Sequence, residues 1–188
     1  MVKDWLLDSG NVIAEMAEYC SDDINNAAEI ISDALENGNK VLWCGNGGSA
    51  GQAQHLSTEL VGGLRSHDRA PLASLSLTTD SSFLTAWSND TDYATVFSRQ
   101  VEALGNKGDV LVAISTSGNS RNVLEACYAA SKIGLKVITF SRQHENKLTN
   151  LGDVNIGIPS NDTQRIQEGH LVAGHIICEL VEKRYLEQ

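Results

Sequence analysis

DVLVAISTSGNSRNVLEACYAASKIG, Asp109 to Gly134, contains the fold in miniature. Its first seven residues form the clearest strand pattern in the chain, an apolar run of the kind that a parallel strand buried on both faces requires. A polar loop, STSGNS, follows, and RNVLEACYAASKIG then reads as a helix closed by Gly134. The same unit recurs on either side. KVLWC (Lys40 to Cys44) is a short apolar run ended by glycines and leads into a helix from about Ser49 to Val61. LASLSL (Leu72 to Leu77) alternates like a strand after the loop GGLRSHDRAP, and two shorter helical stretches lie between about Asp80 and Leu104. KVITFS (Lys136 to Ser141) and DVNIGIP (Asp153 to Pro159) are further strands, and a long helix runs from about Asp162 to Tyr185. Residues 2–38 read as two helices with a break near Ser21-Asp22-Asp23. Strands alternating with helices imply an α/β domain whose parallel sheet is covered on both faces.

Composition narrows the function. At 188 residues the chain is one domain, with a helical extension over 1–38 and an α/β core over 39–188. A formal net charge of −10, from 24 acidic and 14 basic residues, argues against broad nucleic-acid binding. It leaves room for a small anionic ligand, because backbone N–H groups hold phosphate without net positive charge. The first 20 residues hold four acidic residues and no leader-like apolar run, and no stretch approaches a membrane span. Cys20, Cys44, Cys127 and Cys178 are scattered, as reduced, buried thiols of a cytoplasmic protein would be.

Two loops leave strand ends with the chemistry of an anion site, and ligands of open α/β sheets sit at such ends. GNGGS (Gly45 to Ser49) lets the backbone approach a ligand and opens a helix; it is neither GxGxxG nor a Walker sequence. STSGNS (Ser115 to Ser120) places four hydroxyls and a glycine before a helix N-terminus. A helix cap by Asn119 or Ser120 would need one such residue, not five.

GNGGSA followed by STSGNS resembles the sugar isomerase (SIS) domain, and CGNGGSA, AQHLSTEL, SND, FSRQVEALG and RIQEGH together resemble the phosphoheptose isomerases within it. The resemblance implies a three-layer, flavodoxin-like fold with a mostly parallel five-stranded sheet. It implies a cytoplasmic homotetramer, with the N-terminal helices packing in the oligomer. It also implies a phosphate site at Ser49, Ser115, Thr116, Ser117 and Ser120, and sugar-chain contacts at Asn46, Gly47, Gly48, Asn89 and Asp90. The implied zinc ligands are His55, Glu59, Gln167 and His175, with His55, Glu59 and Gln167 also reaching substrate and Glu59 and His175 sharing the acid–base work. Such a set, with one carboxylate and three neutral donors, leaves zinc a net charge of about +1 and a useful Lewis acid.

The residues themselves carry part of this. His55 and Glu59 are four apart, on one helix face, though without the resemblance such a pair is more often plain surface pairing. Gln167 and His175 are eight apart and only loosely on one face, and on spacing His170 competes with them; the resemblance selects His175 and leaves His170 a packed or interfacial residue. His67 and His144 lie in loops, and Cys44 reads as a small buried hydrophobe. Two departures from the family stand out: Gln164 occupies the place of an Asp before the Arg of RIQE, and SRQHENKL (Ser141 to Leu148) replaces a glycine-rich loop. The implied reaction converts D-sedoheptulose 7-phosphate to D-glycero-D-manno-heptose 7-phosphate, the first step towards activated heptose for lipopolysaccharide or another surface glycan. The alternatives are an isomerase of another phosphosugar, or a non-catalytic superfamily member binding the replication initiator DnaA, which would need no metal set.

Overall fold

The structure, a computed structural model, describes residues 1–187. Strands β1 (Val41–Gly45), β2 (Ser74–Ser76), β3 (Val110–Ile114), β4 (Lys136–Arg142) and β5 (Val154–Ile158) form one sheet in the order β2-β1-β3-β4-β5. All four pairings are parallel. Helices α1 (Val2–Tyr19), α2 (Ser21–Glu36), α3 (Gly48–Gly62) and α7 (Thr163–Leu186) pack with one face, and α5 (Val96–Leu104) and α6 (Arg121–Ile133) with the other. Helix α4 (Ser81–Asp90) and a 3-10 turn, Tyr93–Thr95, complete the second layer.

The strand sequences dictate this layering. β1 and β3 are buried at every position, and alternate side chains serve opposite cores. Val41 and Trp43 point with Val112, Ile114, Phe140 and Ile156 to the α2–α3–α7 layer; Leu42 and Cys44 point with Leu111, Ala113 and Val137 to α5 and α6. Burial of this kind contributes roughly 25 cal/mol per Å² of apolar surface. The strand order reverses between β1 and β3, the switch point at which such sheets bind ligands. Gly45 pairs with Ile114, so the glycine turn and the serine loop leave the sheet level with each other.

Helix α7 fixes the second half of the site. Gln167 lies against Gly48, His175 meets His55, and Glu182 accepts hydrogen bonds from the backbone N–H of Leu64 and Arg65, so α3 and α7 run side by side in the same direction. Their close approach needs Gly174, where an added Cβ would stand 2.4 Å from the buried Leu56 Cδ1. Beyond His175 the buried Arg69 donates to Glu182 at 2.8 Å and to the carbonyls of Glu59 and Leu60, tying the end of α3 to α7. Burial raises the Glu182 pKa, but Arg69 and the backbone donors outweigh it and hold the carboxyl below its usual range.

Sequence and structure differ in small ways. The break between α1 and α2 falls at Cys20, because Asp22 and Asp23 occupy the first turn of α2, where the helix dipole favours them. β2 keeps only three of the six expected residues, since it is an edge strand paired on one side for three positions. β4 extends one residue beyond Ser141, as Arg142 pairs with Ile158. All four cysteines are free and buried, and burial raises the thiols of Cys20 to about 11 and of Cys127 and Cys178 to about 12. Burial likewise raises the Cys44 thiol. None of them is a nucleophile at neutral pH.

His170 is packed, as expected of a non-ligand. It is 1% exposed, its Nε2 meets the Ser141 carbonyl at 3.1 Å, and its ring abuts the edge of Phe140. Burial lowers its pKa to about 4, against the opposing pull of that carbonyl. The unfolded chain therefore takes up this proton first, so stability is full above about pH 6.5 and falls as pH drops towards 4. Denaturant unfolding at pH 7 and pH 5 is expected to differ by roughly 2 kcal/mol from this group, and His170→Gln to remove that part of the slope. Gly174→Ala is expected to lower unfolding free energy by about 1–3 kcal/mol through overpacking against Leu56, measured the same way.

Candidate active site

Two features meet at the carboxyl edge of β1 and β3. The first is a pair of helix N-termini without side-chain caps. Gly47 precedes α3 with φ of 53°, a conformation suited to glycine, and no side chain caps that helix. Ser120 precedes α6 but does not cap it; its hydroxyl instead accepts from Ser115 Oγ at 3.0 Å. Ser115 Oγ also lies 3.4 Å from Ser117 Oγ, so three of the four expected hydroxyls share one network. Gly118, at φ of 64°, lets the loop turn. Thr116 is half-buried beside this network, and Ser49 is buried in the first turn of α3. Helix N-termini without side-chain caps and clustered hydroxyls suit a phosphate.

The SRQHENKL segment lies at the lip of this cup. The N–H of Leu148 donates to the Gly118 carbonyl, and that of Lys147 to Asn119 Oδ1. The buried Asn146 packs on Gly118 and donates to Ser141 Oγ and the carbonyls of Arg142 and His144. The segment therefore packs directly against the serine loop.

The second feature is a cluster of donors between α3 and α7. His55 Nε2 lies 2.7 Å from His175 Nε2, with the rings edge to face, and 3.4 Å from Glu59 Oε1. Ligand atoms of the three residues all fall within 4.8 Å of one another. Two imidazoles and a carboxylate are a donor set that a divalent ion takes while keeping a position for substrate. Bonds of about 2.0–2.1 Å at a tetrahedral centre set two nitrogens about 3.3 Å apart, so the rings need to part by little over half an ångström. The residues present fit such an ion, and one chain supplies all three.

Gln167 stands elsewhere on the same helix face. Its carboxamide packs on Gly48, two turns before His55, where a Cβ would approach its Nε2 to 2.6 Å, and its carbonyl accepts from Gln52 Nε2. It thus borders the glycine turn rather than the triad. Asn89 and Asp90 are exposed at the end of α4, bonded to each other at 2.8 Å. Beside them Ser88 and Tyr93 line a cavity of about 490 Å³ that reaches Asn46 and Gly47. Gln164 is exposed in the first turn of α7, and Asp162 caps that helix through the N–H of Gln164 and Arg165. Tyr93, Asn122 and Asn146 were not anticipated; each reaches the site through a contact 28 or more residues away in sequence, which no local spacing announces.

Comparison with known proteins extends this picture. Residues 4–141 match the SIS domain family. The phosphoheptose isomerase of Aliarcobacter butzleri is 45% identical over 182 residues, 97% of this chain and 95% of that protein. That of Aquifex aeolicus is 44% identical over 187 residues, 100% and 97% of the two. Among solved structures, the phosphoheptose isomerase of Neisseria gonorrhoeae superposes with a TM-score of 0.91 at 40% identity over 97% of both chains. That of Francisella tularensis gives 0.93 at 34% identity, over 97% and 96%. The domain match ends at Ser141, short of α7, but these likenesses run through the helix that supplies His175. The chain belongs to the phosphoheptose isomerase family of SIS domain proteins.

Proposed function

We propose that the protein isomerises D-sedoheptulose 7-phosphate to D-glycero-D-manno-heptose 7-phosphate. The observation that carries this reading is the His55–Glu59–His175 convergence at the helix that the glycine turn opens, in a chain with full-length phosphoheptose isomerase relatives. Among the described residues no helix is long and apolar enough to cross a membrane. A cytoplasmic enzyme feeding heptose to lipopolysaccharide or another surface glycan is consistent with this. Val2, Trp5, Leu6 and Leu7 of α1 are 55–69% exposed, which supports packing of the N-terminal helices in a homotetramer.

The reaction moves one proton from C1 of the ketose to C2 through an enediol, while the two oxygens exchange a proton. Atoms and electrons balance within the substrate. The serine loop, with Ser49, binds the remote phosphate and so positions the reacting end. Asn89 and Asp90, with the backbone of Asn46, Gly47 and Gly48, flank the sugar chain. Glu59 and His175, on facing helices, are placed to take and return the proton, and the two share these roles. His55, Glu59 and His175, joined by Gln167 once its side chain swings from Gly48, would hold a zinc ion. Such an ion supplies Lewis acidity towards the carbonyl and hydroxyl oxygens.

Turnover of sedoheptulose 7-phosphate, followed by NMR of the sugar, tests the reading: the heptose phosphate is expected with zinc-loaded protein and not after chelation, with activity restored by zinc. Glu59→Gln is expected to lower kcat by 100-fold or more without changing the oligomer by gel filtration. Near-normal turnover of that variant would remove Glu59 from the chemistry.

A further inference from the structure

The side chain of Asn46 is already engaged inside the protein. Its Oδ1 accepts from the Tyr93 hydroxyl at 2.7 Å and from Asn122 Nδ2 at 2.8 Å, and its Nδ2 donates back to Asn122 Oδ1 at 2.8 Å. Three separate segments meet in this network. Asn46 belongs to the glycine turn after β1, Asn122 to the first turn of α6 directly behind the serine loop, and Tyr93 to the turn that follows Asn89 and Asp90. These are the segments on which the substrate contacts of the proposed reaction fall.

We propose that Asn122 and Tyr93 are positioning residues, and that the reciprocal Asn46–Asn122 amide pair is a brace holding the glycine turn in register with the phosphate loop. A single hydrogen bond fixes a distance; two antiparallel bonds between two planar amides fix distance and rotation together. Asn122 is 3% exposed, so a shift of the turn would leave its donor and acceptor buried without partners, a costly state. Only one separation of the two loops satisfies both amides. Tyr93 uses the remaining lone-pair direction of Asn46 Oδ1, while its half-exposed ring walls the cavity beside the turn. The oxygen of Asn46 therefore faces its own protein, and the turn acts on substrate through its backbone. The phosphate end is gripped by one loop and the reacting end by the turn and α3, so the brace sets the distance between anchoring and chemistry. A misplacement of about 1 Å between the two costs up to 100-fold in rate.

The kinetic part rests on the isomerase reading, so the test has a second, substrate-free arm. Asn46→Ala, Asn122→Ala, the double variant and Tyr93→Phe are compared with wild type for kcat and KM on sedoheptulose 7-phosphate. Each single alanine variant is expected to lower kcat tenfold or more with KM changed less than threefold. The double variant is expected to match the worse single within twofold, because both remove one shared device. Tyr93→Phe keeps the wall and is expected to lose about threefold in kcat. In hydrogen exchange by mass spectrometry, either single alanine variant is expected to speed exchange in both 45–50 and 117–123. Multiplicative losses in the double variant, unchanged kcat in Asn122→Ala, or loosening confined to the mutated loop would each overturn the brace. Absence of wild-type turnover together with exchange coupling across both loops would overturn the isomerase reading and leave the brace standing.

Discussion

The site depends on the lateral contact of α3 with α7. These helices lie far apart in sequence and share no backbone hydrogen bond, yet they must place imidazole nitrogens within 2.7 Å of each other. Small residues make the approach sterically allowed: Gly48 under Gln167 and Gly174 under Leu56. Beyond the triad, the buried Arg69–Glu182 pair also binds the last carbonyls of α3 and the N–H groups of the loop that follows. A buried ion pair of this kind adds little net stability, but removing one partner leaves an uncompensated charge. Together with the exposed Arg65–Glu179 pair, it fixes the spacing of the two helices at that end.

The anion site follows a different logic. A chain of net charge −10 does not attract a phosphate dianion through its overall field. The proposed phosphate site would rely on short-range dipoles instead: the N-termini of α3 and α6, which no side chain caps, and hydroxyls that rotate to donate. Leaving these helix ends without side-chain caps forgoes a few tenths of a kcal/mol at Gly47 and up to about 1 kcal/mol at Ser120, a loss that a bound anion would offset. The parallel register of β1 and β3 brings the two N-termini to the same level of the sheet edge.

These two constructions share the segment that opens with Gly45. Its turn faces the serine loop, and the helix that it starts carries His55 and Glu59 on the side facing α7. One strand–turn–helix unit thus connects the glycine turn to the His55 and Glu59 side chains, and the Asn46–Asn122 pair adds a second connection across the switch point. Substrate binding energy from a remote phosphate can act on the reacting carbons only if such a frame is stiff.

Much of the fold was legible because its strands are short apolar runs between helices, and periodicity reports burial directly. The glycine turn and serine loop were legible because their chemistry is local: each carries its donors within six residues. His55 and Glu59 were visible as a pair on one helix turn, but no spacing could say that a histidine 120 residues later would close on them. Spacing left His170 competing with His175, and the tertiary structure separates them by burying His170 against Phe140 while leaving His175 in the α3–α7 seam. The place of Gln167 on Gly48 and the tie of Tyr93 and Asn122 to Asn46 were likewise decided only by packing. The sequence by itself determined the layers, the strand–helix order and the glycine and serine loops at the strand ends, since these follow from local pattern. Which distant side chains meet was decided by the tertiary structure, because it depends on how closely two helices approach and on which buried amides find partners.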